Sequence, residues 1–85
     1  MKRKVDPEFA KYIAIRLKTV RNEQNLSQAK LAEVSGVSLS NIQRIEGAKG
    51  DTTFATAYHL SKALNVTYLN FLKAARLQYS LKILN

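Results

Sequence analysis

Apolar residues recur every three to four positions along most of the chain, which is the spacing of amphipathic helices. A first helix is expected over about residues 7–24, because Asp6-Pro7-Glu8 is a strong helix start. Asp6 caps free amide groups, Pro7 suits the first helical position, and Glu8 complements the positive end of the helix dipole. The apolar stripe of this helix consists of Phe9, Ile13, Leu17 and Val20.

Two short helices are expected next, over residues 28–35 and 39–46, joined by a turn with Gly36 at its centre. Ser27 and Ser38 are the expected N-terminal caps of these helices, and Gly36 can take a positive φ angle without steric penalty. The inner faces are expected to consist of Ala29, Leu31, Ala32 and Val34 in the first helix and Ile42 and Ile45 in the second.

If these inner faces pack together, the second short helix is expected to protrude from the domain with its outer face exposed. That outer face consists of Ser38, Leu39, Ser40, Asn41, Gln43 and Arg44. The major groove of DNA is about 12 Å wide and admits one α-helix. A protruding helix of small polar residues with one arginine fits this groove.

The C-terminal half of the chain carries two more helices. The fourth is expected over residues 53–65, with an apolar stripe of Phe54, Ala57, Leu60, Ala63 and Leu64. The fifth starts near Tyr68 and runs to about Leu77; beyond it, apolar and polar residues alternate, so that residues 78–85 are either helix or a terminal strand. The sequence therefore predicts an all-α fold of five helices, in one domain of residues 1–85 with a short C-terminal extension.

Charge adds a class of partner to this fold. The 85 residues include 14 Lys and Arg against 6 Asp and Glu, which gives a formal net charge of +8 and a pI near 10.1. Such a surplus on a small domain favours a polyanionic partner, with nucleic acid first and an anionic membrane second. No apolar stretch approaches the roughly 18 residues of a membrane span, and the basic N-terminus lacks the apolar region of a secretory signal. We therefore expect a cytoplasmic protein, associated with the nucleoid when it is bound to DNA.

Enzymatic chemistry is not expected. The chain has no cysteine, which excludes a disulfide scaffold, a thiolate zinc site and cysteine catalysis. The acidic residues are scattered without a nucleophile or base beside them, and the single histidine, His59, is expected to be an ordinary surface residue. We therefore expect no catalytic residue, no metal and no cofactor.

Several segments resemble the Cro and lambda-repressor-like helix-turn-helix family of transcriptional regulators, also called XRE-type. The resemblance covers residues 13–72 and agrees with four helices at the right separations. The segments that carry it are Ile13-Ala14-Ile15-Arg16-Leu17, Val20-Arg21, Leu26-Ser27-Gln28-Ala29-Lys30-Leu31-Ala32, Gly36-Val37-Ser38, Ile42-Gln43-Arg44-Ile45-Glu46 and Leu60-Ser61-Lys62-Ala63-Leu64-Asn65-Val66. A helix-turn-helix unit at residues 28–46 is therefore expected.

The resemblance also implies roles for individual residues. The residues that fall where the family reads base edges are Gln28, Ser38, Leu39, Ser40 and Arg44. The residues that fall where backbone phosphates are held are Ser27, Asn41, Gln43 and Lys49. Arg44 is expected to bind a guanine through two hydrogen bonds, and Leu39 to touch a thymine methyl group. Arg21 and Glu46 match a structural ion pair that joins the first helix to the end of the third.

The function that follows is sequence-specific binding of double-stranded DNA by a transcriptional regulator, expected to be a repressor that acts as a homodimer on a two-fold symmetric operator. The segment 67–85 is the expected dimerisation element. The residues expected to form the dimer contact are Leu69, Leu72, Leu77, Tyr79, Leu81 and Ile83. The alternative is that this tail packs on its own domain.

Other interpretations stay open for the rest of the chain. Residues 1–6 are either a basic arm that reaches a minor groove or phosphates, or a solvated terminus. The domain is alternatively an antitoxin whose tail wraps a toxin, or a membrane-surface protein with a basic face and an apolar tail. A regulator of this kind acts by covering a promoter or by contacting RNA polymerase beside it.

Overall fold

The computed structural model describes residues 7–49, 52–67 and 69–71. Its helices are α1 (Pro7–Glu23), α2 (Gln28–Ser35), α3 (Leu39–Glu46) and α4 (Phe54–Ala63), and residues 69–71 are helical and belong to a fifth helix, α5. The described residues contain no strand. The predicted all-α fold is confirmed, and α2 and α3 have the predicted bounds. The alternative of helix or strand at residues 78–85, like the basic arm at residues 1–6, falls outside the described residues.

One apolar cluster holds the helices together. It takes residues from all five of them, with α1 against α3 and α2 against both α3 and α4. The buried members are Ile13, Leu17, Val20, Leu31, Val37, Ile42, Ile45, Leu60, Leu64 and Phe71. The inner face of α3 contributes Ile42 and Ile45 to this cluster. The opposite face of α3 is therefore exposed to solvent.

Side-chain caps begin three of the helices, as the sequence predicts for two of them. Ser27 Oγ accepts the amide N–H of Lys30 at 3.0 Å, and Ser38 Oγ accepts that of Asn41 at 3.2 Å. Thr53 Oγ1 caps α4 in the same way. Each cap satisfies an amide that has no partner inside its helix, which fixes where the helix starts.

Left-handed residues end the helices. Gly36 follows α2 with φ +76°, as predicted, and its N–H donates to the carbonyl of Ala32 at 3.0 Å. After α1, α3 and α4 the left-handed position is held by Asn25, Ala48 and Asn65, with φ of 57°, 56° and 58°. The helix predicted to reach residue 65 therefore stops at Ala63, because the chain reverses at Asn65 and the Val66 N–H bonds back to the Ser61 carbonyl at 3.0 Å.

Three predicted core positions are wrong. Val34 is 50% exposed, because it lies about 60° around α2 from the buried Leu31. Ala29 is exposed as well. Phe54 is 69% exposed, because it starts the first turn of α4 and the buried stripe begins only at Ala57. Among the described residues, no helix is long and apolar enough to span a membrane.

Candidate nucleic-acid interface

The two faces of α3 differ sharply in exposure. Ile42 and Ile45 are buried in the core, and Glu46 at the end of the helix is buried with them. The opposite face is open: Ser38, Leu39, Ser40, Gln43 and Arg44 are exposed, and Asn41 is half-buried. The residues predicted to read base edges from α3 therefore share one solvent-facing surface, on a helix that is fixed from behind.

A buried carboxylate provides much of this fixing. Glu46 Oε2 accepts Arg21 Nε at 2.6 Å, and Glu46 Oε1 accepts Arg21 Nη2 at 2.9 Å. The Arg21 side chain is 12% exposed and that of Glu46 is 3% exposed. Arg21 Nη1 also donates to the Leu26 carbonyl at 2.6 Å. The structure thus brings the predicted ion pair together as a two-point contact between α1 and the end of α3.

The pair changes the acid–base behaviour of the arginine. The hydrogen bond to Glu46 raises the pKa of Arg21 above its ordinary value, desolvation by burial opposes that rise, and the charge of Glu46 adds to it. Arg21 is therefore a cation at neutral pH, as arginine ordinarily is.

Gln28 joins the same carboxylate. Its Nε2 donates to Glu46 Oε1 at 3.0 Å, which links the start of α2 to the end of α3. The family resemblance implies base reading for Gln28 and does not suggest this contact. An amide nitrogen carries two N–H groups, so one donor and the carbonyl oxygen of Gln28 remain available for another partner. Glu46 is thus a junction of three helices, and we call the set Arg21, Gln28 and Glu46 the carboxylate junction.

Arg44 and Asn41 form a second hydrogen-bonded pair on the exposed face. Asn41 Oδ1 accepts Arg44 Nε at 3.2 Å and Arg44 Nη2 at 2.8 Å. The family resemblance implies a base contact for Arg44 and a phosphate contact for Asn41, without pairing them. Their spacing of three on one helix is the signal that would have paired them.

The other predicted site residues lie around this face. Ser38 Oγ lies 3.4 Å from Ser40 Oγ. Ser27, Gln43 and Lys49 are exposed, with Ser27 capping α2 and Lys49 following α3. Leu69 is 77% exposed. The other predicted dimerisation residues, Leu72, Leu77, Tyr79, Leu81 and Ile83, fall outside the described residues.

In the part of the chain that the structure describes, no three His, Cys, Asp or Glu residues lie close enough together to bind a metal ion. His59 makes an edge contact with the ring of Tyr58, with centroids 5.7 Å apart.

Comparison with known proteins agrees with this geometry. Residues 17–70 match the helix-turn-helix family HTH_3. The chain is 35% identical over 60 residues to the control protein C.SmaI of Serratia marcescens, covering 71% of each chain. It is 32% identical over 64 residues to the HTH-type transcriptional regulator SutR of Escherichia coli, covering 75% of this chain but only 36% of SutR.

A solved structure of the same kind superposes well. The restriction-modification controller protein C.AhdI of Aeromonas hydrophila matches with a TM-score of 0.70 and 25% identity, over 74% of this chain and 94% of that protein. The chain belongs to the HTH_3 helix-turn-helix family, a class of DNA-binding transcriptional regulators that are not enzymes.

Proposed function

We propose that this protein is a sequence-specific regulator that binds double-stranded DNA as a homodimer on a two-fold symmetric operator and represses transcription. The observation that carries the proposal is the asymmetry of α3, whose inner face and terminal Glu46 are buried while its outer face is open. A helix that is held rigidly from behind presents its outer side chains to a groove without first having to order itself.

The residues around this face have two different roles in the proposed complex. Base edges are read by Ser38, Leu39, Ser40, Arg44 and the remaining amide donor of Gln28. Phosphates are held by Ser27, Gln43 and Lys49, which position the helix without reading sequence. The formal charge of +8 strengthens both sets of contacts, because it draws the protein to any duplex before the base contacts select one.

Dimerisation supplies the discrimination that one such module lacks. A single small module buries only about 600–1,000 Å² on DNA. Two modules on half-sites about 34 Å apart, one helical turn, double that contact. The exposure of Leu69, at the start of the proposed dimerisation segment 67–85, supports a self-contact there. Repression then follows sterically, because a bound dimer covers the promoter, and the site of action is the nucleoid in the cytoplasm.

Selection of bound duplexes from a random library tests this proposal. We expect one enriched motif with two inverted half-sites whose centres are about one turn apart. Sedimentation of the protein alone and with the selected duplex gives the stoichiometry, which we expect to be two chains per duplex. Failure to enrich any sequence would contradict specific DNA binding, and enrichment of a single half-site bound by one chain would contradict the dimer.

A controller of a restriction-modification system is a second candidate, favoured by the similarity to C.SmaI and C.AhdI over most of their lengths. It predicts that the selected motif occurs upstream of neighbouring endonuclease and methyltransferase genes. A reporter driven by that upstream region, with and without the protein, distinguishes activation from repression. Contacts with RNA polymerase or with a toxin stay predictions.

A further inference from the structure

Asn41 and Arg44 are held together before any DNA is bound. One oxygen, Asn41 Oδ1, accepts two N–H groups from one edge of the Arg44 guanidinium, at 3.2 Å from Nε and 2.8 Å from Nη2. We propose that Asn41 is a positioning residue, which sets the guanidinium of Arg44 in the orientation that reads a guanine. This inference rests on the proposed function and names a specificity determinant within it.

Helix geometry determines where this contact holds the guanidinium. Side chains on a helix lean towards its N-terminus, and residues three apart lie on the same face. Arg44 belongs to the last turn of α3, and its contact with Asn41 carries its charge back over the preceding turn. The N-terminal part of a recognition helix is the part that meets base edges. Without Asn41, the long side chain of Arg44 would spread its charge over many rotamers.

The donors that Asn41 leaves available suit a guanine. A guanidinium has five N–H groups, and Asn41 takes the Nε donor and one donor on Nη2. The opposite edge keeps the Nη1 donors and the second Nη2 donor, which form a pair of parallel N–H groups. Guanine presents O6 and N7 as two adjacent acceptors in the major groove. The contact therefore occupies one edge of Arg44 and leaves the edge that binds guanine end-on.

The neutral character of Asn41 matters as well. A carboxylate at this position would hold the arginine but cancel its charge. The buried Glu46 nearby is occupied by Arg21 and Gln28. Arg44 therefore keeps its full positive charge for DNA while it is oriented by an uncharged oxygen.

A phosphate-binding role for Asn41 makes an opposite prediction. The Asn41 Nδ2 group donating to a phosphate would strengthen binding to every duplex alike, since phosphates carry no sequence information. A positioning role acts only where Arg44 finds its guanine. The ratio of affinities for the selected operator and a scrambled duplex of equal length separates the two.

A double-mutant cycle makes the test, with affinities measured on both duplexes for the unaltered protein, Asn41→Ala, Arg44→Ala and the double variant. We expect Asn41→Ala to lower the affinity for the operator by about 3- to 10-fold and to leave the scrambled duplex unchanged. In the Arg44→Ala background, Asn41→Ala should lower the operator-to-scrambled ratio no further. Equal loss on both duplexes, or an undiminished effect in that background, would overturn the proposal.

Asn41→Asp is the matched control, because it keeps the acceptor and adds a negative charge. We expect it to weaken binding to both duplexes but to keep an operator-to-scrambled ratio above that of Asn41→Ala, because the oriented arginine is retained. Collapse of that ratio to the value of Asn41→Ala would overturn the positioning role. Thermal melting of each variant reports folding separately, and alanine in the first turn of an exposed helix face is well tolerated.

Failure of the proposed function itself looks different in these measurements. An unaltered protein that binds both duplexes equally would refute sequence-specific recognition. An unaltered protein that prefers its operator, together with an Asn41→Ala variant that keeps this preference, would refute only the role of Asn41.

Discussion

Two arginines on the two sides of the helix-turn-helix unit make contrasting contacts. Arg21 lies behind α3 and binds a carboxylate that is 3% exposed, whereas Arg44 lies in front of it and binds the amide oxygen of a half-buried asparagine. Losing its partner would leave Arg21 as a largely desolvated cation, while Arg44 would simply be hydrated by water. The buried contact of Arg21 should therefore stabilise the fold, whereas the exposed contact of Arg44 should matter for DNA recognition. The difference in burial explains why similar hydrogen bonds have different roles.

Glu46→Ala tests the buried side and should have the largest effect. It strands the Arg21 cation and frees the Gln28 amide, so we expect a loss of about 3 kcal/mol in the free energy of unfolding, measured by urea denaturation. The matched control is Glu33→Ala, which breaks the exposed pair with Lys30 and should cost about 0–1 kcal/mol. Equal losses in the two variants would show that the carboxylate junction does not stabilise the fold.

Arg44→Ala tests the exposed side. We expect it to weaken binding to the selected operator by about 1–3 kcal/mol and to relax the preference at one base pair, because a bidentate guanine contact is removed. The free energy of unfolding should not change, since the side chain is exposed. A large drop in melting temperature would contradict the contrast between the two arginines.

The turn directly after Glu46 offers a prediction of intermediate size. Ala48 holds the left-handed position with φ 56°, while Gly47 before it has φ −86°. Ala48→Gly should therefore stabilise the protein by about 1 kcal/mol, because it relieves the clash of the alanine Cβ. The comparison variant Gly36→Ala should destabilise it by about 1 kcal/mol, since an added Cβ there meets open space and only the backbone strain is felt. Melting curves of both variants check the sign of each change.

Lys49→Ala should have the smallest effect and leave stability unchanged. We expect uniformly weaker binding to all duplexes, with the slope of log affinity against log salt concentration reduced by about 0.9, as for one lost phosphate contact. Titrations at several salt concentrations, on operator and scrambled duplexes, make the measurement. A loss confined to the operator would instead assign Lys49 to base reading.

Local chemistry explains why much of the architecture could be predicted. Ser27, Ser38 and Gly36 act on their immediate neighbours, so the bounds of α2 and α3 follow from the sequence alone. The end of α4 was missed because asparagine at residue 65 can either continue a helix or reverse the chain, and packing decides. Val34 and Phe54 were missed because periodicity gives the direction of a side chain but not the extent of the neighbouring surface.

The candidate site likewise has features that could be predicted from the sequence and features that required the structure. The resemblance to a known family pointed to Arg21 and Glu46 and to the exposed residues of α3. It did not supply the bond from Gln28 to Glu46, since a contact between residues 18 positions apart needs the fold. The bond from Arg44 to Asn41 follows helical spacing and could have been predicted.

The carboxylate junction has a mechanical consequence for the proposed complex. Three helices joined at one carboxylate resist tilting against each other, so the helix-turn-helix unit should meet the duplex as a stiff body. Any mismatch in curvature must then be absorbed by bending or twisting the DNA, whose resistance depends on base steps that the protein never touches. The preferred operator should accordingly depend also on the sequence of the spacer between half-sites, which the protein does not contact. Flexible base-pair steps in this spacer lower the free energy needed to deform the DNA so that α3 enters the major groove.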